Sequence, residues 1–334
     1  MSLKIGIVGG TGNVGRKILQ VLTEQRVDIQ SLRLFASKKS QGEKISFQDR
    51  EITVEQLTEE AMQEEFDYLL FSAGGEVSEH YAPIAAKSGN TVIDNSSQWR
   101  MTEGIPLVVP EINGDILKGY QGIVANPNCS TIQMVAALSP LNEVYGLTKI
   151  NVATYQAVSG SGSAGMQELQ EQLADPQREP RTYPKTIAGN CIPHIDVFYD
   201  NGYTKEELKM VYETQKILNK PTLPVQVTTV RVPVINGHSE AIYAEFEKAP
   251  DLQEVREIFE KTQGLVLMDK PGDLVYPTVF DAHDRDEVFV GRIRKDLFNP
   301  KGLALWVVAD NLRKGAATNG VGILTHMEKL KKVR

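Results

Sequence analysis

The most chemically loaded position in the chain is Cys129, within Asn128-Cys129-Ser130-Thr131. A strand-like stretch precedes Pro127, and the apolar run after Thr131 repeats at helical spacing. Asn128 or Ser130 can cap that helix, leaving the Cys129 sulfur at its positive end, where the reactive thiolate is favoured. A small buried hydrophobe is the other reading of such a cysteine. The polar Asn-Pro-Asn-Cys-Ser-Thr surroundings speak against it. Far upstream, Gly10-Thr11-Gly12-Asn13-Val14-Gly15 follows a first apolar strand and opens a helix. This strand, turn and helix context is that of a dinucleotide loop. Gly10 would make the tight turn, Gly12 would let backbone approach a pyrophosphate, and Gly15 would allow close helix packing. A Walker A loop is excluded, because Arg16-Lys17 follows Gly15 where Lys-Ser/Thr is required. The chain thus pairs a site for a hydride carrier with a nucleophile able to hold an acyl group.

The second strand discriminates between carriers. It ends in Ala36-Ser37-Lys38-Lys39-Ser40-Gln41, with no carboxylate for a ribose 2′-hydroxyl. Hydroxyls and cations suit a 2′-phosphate, so NADP is expected, although Lys38 and Lys39 also read as a solvated pair. Ser72-Ala73-Gly74, after the strand ending at Phe71, reads equally as a close backbone passage for the cofactor or an ordinary turn. Further candidates are Gln156, leading into the Ser159-Gly160 loop, then Arg231, and His238 beside Gly237. Arg100 closes Asn95-Ser96-Ser97-Gln98-Trp99, and Glu206 and Lys209 lie one turn apart on an expected helix. His238 has an ordinary pKa close to working pH, and Arg231 has the fork geometry for a carboxylate. A surface salt bridge for Arg231 and a solvated face for Glu206 and Lys209 are the competing readings.

Positioning these groups takes two folds in sequence. At 334 residues the chain exceeds one ordinary core. The first third alternates short apolar strands with helices, which predicts a parallel α/β sheet. Leu3–Val8, Leu32–Ala36, Tyr68–Phe71, Thr91–Ile93 and Gly122–Ala125 are the expected strands, with helices at Asn13–Thr23, Gln56–Glu65 and Ser78–Ser88. After Gly146 the strands lengthen and alternate, which predicts a mixed sheet covered by helices on one face. Asp175 to Pro193 carries four prolines and reads as a long irregular excursion. The expected division is residues 1–127, joined by a terminal helix over 312–334, and residues 128–311. A net charge of −7 argues against a nucleic-acid surface. No apolar run approaches the roughly 20 residues of a membrane span. Two cysteines and no secretory leader fit the cytoplasm. No metal cluster is expected.

Together, GGTGNVG, NPNCSTIQ, YQAVSGSG, VRVPVINGHSEA and the terminal GAATN resemble the aspartate-semialdehyde dehydrogenase family over essentially the whole chain. The resemblance implies an N-terminal Rossmann-type NADP-binding domain and an α+β catalytic and dimerisation domain, in a layout similar to glyceraldehyde-3-phosphate dehydrogenase. It implies NADPH-dependent reductive dephosphorylation of 4-aspartyl phosphate to the semialdehyde, serving lysine, threonine, methionine and isoleucine synthesis. In it Cys129 is the nucleophile, His238 the acid/base, and Gln156 orients the substrate. Arg231 would bind the substrate carboxylate, Glu206 its amino group, and Arg100 and Lys209 the phosphate. Ser159, Gly160 and Asn319 would contact the cofactor, and a homodimer, or a dimer of dimers, is implied. Many relatives carry Cys where this chain has Thr229. The related N-acetyl-glutamyl-phosphate reductases set their nucleophile in a Pro-Gly-Cys-Tyr type context, unlike Pro127-Asn128-Cys129-Ser130 here. A catalytically silent NADP-binding homologue would be expected to lose Cys129 or His238, and both are present.

Overall fold

The structure, a computed structural model, describes residues 2–332. Two compact units divide between Asn128 and Cys129 and again between Gly315 and Ala316. In the first unit, β1 (Leu3–Val8) leads through α1 (Asn13–Glu24) to β2 (Ile29–Ala36). A hairpin of β3 (Lys44–Phe47) and β4 (Arg50–Gln56) follows, then α2 (Glu59–Gln63), β5 (Tyr68–Phe71), α3 (Gly75–Lys87), β6 (Thr91–Asp94), α4 (Pro110–Asn113) and β7 (Ile123–Ala125). The sheet order is β3-β4-β2-β1-β5-β6-β7, parallel except for the β3–β4 pair. Central strands buried on both faces explain the near-continuous apolar runs IGIV and YLLF. The order reverses direction at β1, so the carboxyl ends of β1 and β5 form the crevice where such sheets bind ligands. The terminal helix, Thr318–Lys332, packs in this unit through Val321, Ile323, Leu324 and Met327. The expected helix over 312–334 begins as a π-helical turn at Arg313–Ala317 and continues as α-helix from Thr318, and its last two positions lie outside the described residues. The expected Gln56–Glu65 helix is also shorter: Gln56 ends β4, and Thr58 caps α2 by accepting from Ala61 N at 3.2 Å.

The second unit is built on α5 (Cys129–Tyr145), which is buried nearly all round, as a helix apolar on every face must be. Around it lie β8 (Leu147–Gln156), α6 (Gly162–Ala174), α7 (Lys205–Ile217), β9 (Val225–Arg231), β10 (His238–Phe246), α8 (Leu252–Lys261), β11 (Leu265–Leu267), α9 (Val279–Ala282), β12 (Val288–Lys295) and β13 (Gly302–Ala309). The mixed sheet runs β11-β12-β13-β10-β8-β9. Along β10, His238, Glu240, Ile242, Ala244 and Phe246 are buried, while Ala241, Tyr243 and Glu245 are half-buried on the other face, where Ser239 alone is buried as well. Residues 175–203 contain no helix or long strand, and Gln172 Oε1 anchors them by accepting from Ile187 N and Ala188 N.

Candidate active site

The glycine loop departs from expectation at one position. The residue with left-handed backbone is Gly9, at φ +84°, and not Gly10. A Cβ on Gly9 would press on Ser72 backbone at 2.9 Å, while Gly10 packs against Leu34. Gly12 precedes α1 in extended conformation and donates from its N to Gly9 O at 3.1 Å. Gly15 leaves no room for a side chain, since a Cβ there would lie 2.8 Å from Gly10 Cα. Thr11, Asn13 and Val14 complete the turn onto the helix start, the place where backbone N–H groups receive a phosphate. Ser72 Oγ donates to Val8 O at 3.1 Å, tying the end of β5 to the end of β1, and Ala73-Gly74 then opens α3. Ser37 to Gln41 form a single exposed turn after β2, with Lys38 and Lys39 exposed and no carboxylate in the turn. Asn319, 2% exposed, donates to Val108 O at 2.9 Å and Asn126 Oδ1 at 2.6 Å, while its Oδ1 has no protein partner. A buried amide oxygen left over, a helix start and a glycine cradle fit a dinucleotide.

Arg100 belongs to this same unit. It is buried, donates from Nη2 to Asn95 O at 3.0 Å, and faces the charge of Asp94. Burial pushes the Asp94 carboxyl pKa up, against hydrogen bonds from Ser96 and Ser78.

In the second unit the register of three strands assembles the site. Ser239 pairs with Tyr155 across β10 and β8, and Gln156 pairs with Arg231 across β8 and β9. His238, Gln156 and Arg231 therefore stand in one row on the buried face, beside the helices. Arg231 Nη1 donates to Ala157 O at 2.7 Å. The irregular excursion clamps Arg231 from the other side, with Ile192 exchanging backbone hydrogen bonds at 2.8 and 2.9 Å. Ala157 N donates to His238 Nδ1 at 3.0 Å, so the ring proton of the neutral imidazole sits on Nε2, which has no protein partner. Complete burial, reinforced by the positive charge of Arg231, pushes the His238 pKa down to about 3, against the opposing pull of Glu206.

α7 lays two charges across this row. Gln156 Nε2 donates to Glu206 Oε1 at 3.3 Å, and Lys209 Nζ donates to Glu206 Oε2 at 3.0 Å and Asp196 Oδ2 at 2.8 Å. Burial would lower the Lys209 pKa, but the Glu206 and Asp196 carboxylates outweigh it and the net shift is upward. The helix itself is fixed by a capping box between Thr204 and Glu207. Glu206, buried, and Lys209, half-buried, thus form an ion pair attached to Gln156 and not a solvated face.

Cys129 is the first residue of α5, half-buried, with no acidic residue in the first turn. One turn later Gln133 Nε2 reaches the His238 carbonyl at 3.4 Å, which joins the helix start to the base strand. Two glycines fit tightly around the chemistry. A Cβ on Gly160 would lie 2.9 Å from Arg231 Nη1, and one on Gly315 would lie 2.6 Å from Cys129 Cβ. Ser159, buried beside Gly160, donates to Asn311 Oδ1 at 3.0 Å. Gly9, Gln133, Gly315 and Asn126 escape a reading of sequence alone, because only tertiary adjacency gives them a role. Gly315 lies in a π-helical turn, Arg313–Ala317, a form often found at functional sites. Among the described residues no cluster of His, Cys, Asp and Glu forms a metal site.

Comparison with known proteins identifies the family. Two family models match: semialdehyde dehydrogenase, NAD binding domain, over residues 4–120, and semialdehyde dehydrogenase, dimerisation domain, over 138–314. An aspartate-semialdehyde dehydrogenase of Aquifex aeolicus is 48% identical over 97% of both chains. That of Campylobacter jejuni is 49% identical over 98% of both. The crystal structure of aspartate semialdehyde dehydrogenase II from Vibrio cholerae superposes with a TM-score of 0.95 at 46% identity, covering 98% of this chain and 99% of that one. With this identity over nearly the whole of both chains and both family models matched, the protein belongs to the aspartate-semialdehyde dehydrogenase family.

Proposed function

We propose that the chain converts L-4-aspartyl phosphate, NADPH and a proton to L-aspartate 4-semialdehyde, phosphate and NADP, with Cys129 as the covalent nucleophile. The observation that carries the reading is the row His238–Gln156–Arg231, joined through Gln133 to the helix that Cys129 opens. The Cys129 thiolate attacks the acyl carbon, the carbon–oxygen bond to phosphate breaks, and a thioester remains. The thioester divides one hard displacement into two easier steps. Bound NADPH supplies the hydride. Gly10 to Gly15, Ser72 to Gly74 and Asn319 would hold the cofactor, with Ser159 and Gly160 beside its reacting end. Ser37, Lys38, Lys39, Ser40 and Gln41 would take the 2′-phosphate. His238 Nε2–H donates to the oxygen that becomes negative in each tetrahedral intermediate, and collapse of the second intermediate returns the thiolate. Arg231 offers a planar fork to the substrate carboxylate, and Glu206 accepts from its amino group. Arg100 and Lys209 neutralise the phosphate. The dimerisation domain is the basis for a homodimer.

The test is NADP reduction with aspartate semialdehyde, with and without phosphate. Activity should depend on phosphate and fall by about 10⁴-fold or more in Cys129→Ala, since the covalent route is lost. Phosphate-independent turnover, or a fully active Cys129→Ala, would overturn the mechanism. The same assay with the N-acetylated, longer semialdehyde distinguishes the N-acetyl-glutamyl-phosphate reductase reading.

A further inference from the structure

Directly behind the histidine row lies a second row that the reaction as described does not use. Glu240 pairs with Thr154 of β8 and Val307 of β13, and Thr154 pairs with Thr229 of β9. Glu240 is fully buried, two residues from His238 on the same face of β10. Its carboxyl meets the Gln133 side chain of α5, and no cation acts on it. Thr154, Thr229 and Val307 are all uncharged, and the titratable groups nearby in sequence are His238 on its own strand and Cys129 one turn before Gln133. Neither carboxyl oxygen of Glu240 has a well-formed hydrogen bond, and Gln133 Oε1 has none either. Among the described residues the Gln133 side chain is the one polar group that acts on it, in the sense that favours the carboxylate, and burial outweighs that contact because a charge without a cation is costly in a dry interior. A carboxylic acid avoids that cost. Its O–H can donate to Gln133 Oε1, the acceptor left over, while Gln133 Nε2 donates to the His238 carbonyl at 3.4 Å.

We propose that Glu240 is a positioning residue that fixes Gln133 and thereby sets the start of α5 against His238. It touches neither substrate nor cofactor. The chain Glu240 to Gln133 to His238 is a hydrogen-bonded strut between the element carrying the nucleophile and the element carrying the base. Burial raises the Glu240 pKa well above the ordinary carboxylate range, consistent with the neutral form. The inference rests on Cys129 and His238 being the reacting pair.

Steady-state kinetics of the full-length enzyme with NADP, aspartate semialdehyde and phosphate provide the test. Glu240→Leu, which keeps the volume and removes the donor, should lower kcat by about tenfold or more, with both KM values moving less than about threefold. Glu240→Gln, whose amide N–H still donates to Gln133 Oε1, should restore kcat to within about threefold of the parent. Equal damage from Gln and Leu, or a normal kcat in Glu240→Leu, overturns the strut. If thermal unfolding shows that Glu240→Leu does not fold, Gln133→Leu removes the acceptor instead and carries the same prediction, with a normal kcat again overturning it. Cys129→Ala is run alongside. Activity in that variant removes the thioester reading, whereas an inactive Cys129→Ala with a normal Glu240→Leu removes the strut alone.

Discussion

At the scale of single residues, His238 departs furthest from its solution chemistry. A backbone N–H occupies Nδ1 at 3.0 Å and the ring is fully buried, so protonation would set two N–H groups against each other as well as bury a charge. The folded pKa of about 3 lies below the unfolded value near 6.5. Between those values the unfolded chain binds a proton that the folded chain refuses, so stability rises with pH across this window. One pH unit below the unfolded pKa, the loss is about 1.4 kcal/mol. Glu240 and Asp94, whose carboxyl pKa values are raised, act with the opposite sign, because the folded chain holds their protons longer. The comparison that isolates His238 is therefore between the parent and His238→Asn. Urea unfolding at pH 7.5 and 5.5 should show the parent losing about 1 kcal/mol more than the variant over that interval. Equal losses would mean that the folded imidazole titrates normally.

At the scale of elements, short-range signals and long-range ones divide what the sequence could disclose. Cys129 at a helix start and the Gly10–Gly15 turn are local features, written in capping and turn chemistry, and the structure forms both turns. The β3–β4 hairpin is not legible, because β3 is a short edge strand and the polar, charged sequence of β4 resembles a loop. Gly9 was passed over for Gly10 because a run of two glycines does not disclose which takes positive φ. Glu240, Gln133 and Gly315 depend on strand register and on segments far apart in sequence. Gly315 carries a prediction of its own. The turn Arg313–Ala317 is pinned by Arg313 to Asp284 at 3.1 Å and Asp286 at 2.8 Å, so it cannot retreat freely from Cys129. A methyl group placed 2.6 Å from Cys129 Cβ must displace the thiol or widen the turn. Gly315→Ala should lower kcat by about 10²-fold, since a displacement near 1 Å at a reacting group has that effect. Its alkylation rate at Cys129 should change in step with kcat. Unaltered kcat in a folded Gly315→Ala would mean that the turn yields without moving the nucleophile.

At the scale of the molecule, the sheet of the second unit has two unlike faces. The inner face carries the histidine row and is covered by α5, α7 and α8, while the outer face carries Tyr155, Ala241, Tyr243 and Trp306. Tyr155 and Trp306 pack together at 5.4 Å, and Tyr155 remains 37% exposed. Apolar and aromatic side chains at the centre of an open sheet face mark a protein contact more readily than a solvated surface. Two outward residues adjoin inward ones proposed to act in the reaction: Tyr155 precedes Gln156, and Ser239 follows His238. Pairing the outer faces of two copies would therefore brace the strands that hold the site. The consequence is measurable with Ala241→Glu, at a position that pairs with Trp306 and Ala153 in the middle of the sheet, away from the inner face. In sedimentation the parent should run near twice the chain mass of 37.0 kDa, and Ala241→Glu should run near that single mass. The monomer should keep its far-UV spectrum and lose at least about tenfold in kcat, because strand register near Gln156 and His238 is no longer braced. A parent that sediments as a single chain would refute the pairing, and a fully active monomer would show that each sheet holds its catalytic row unaided.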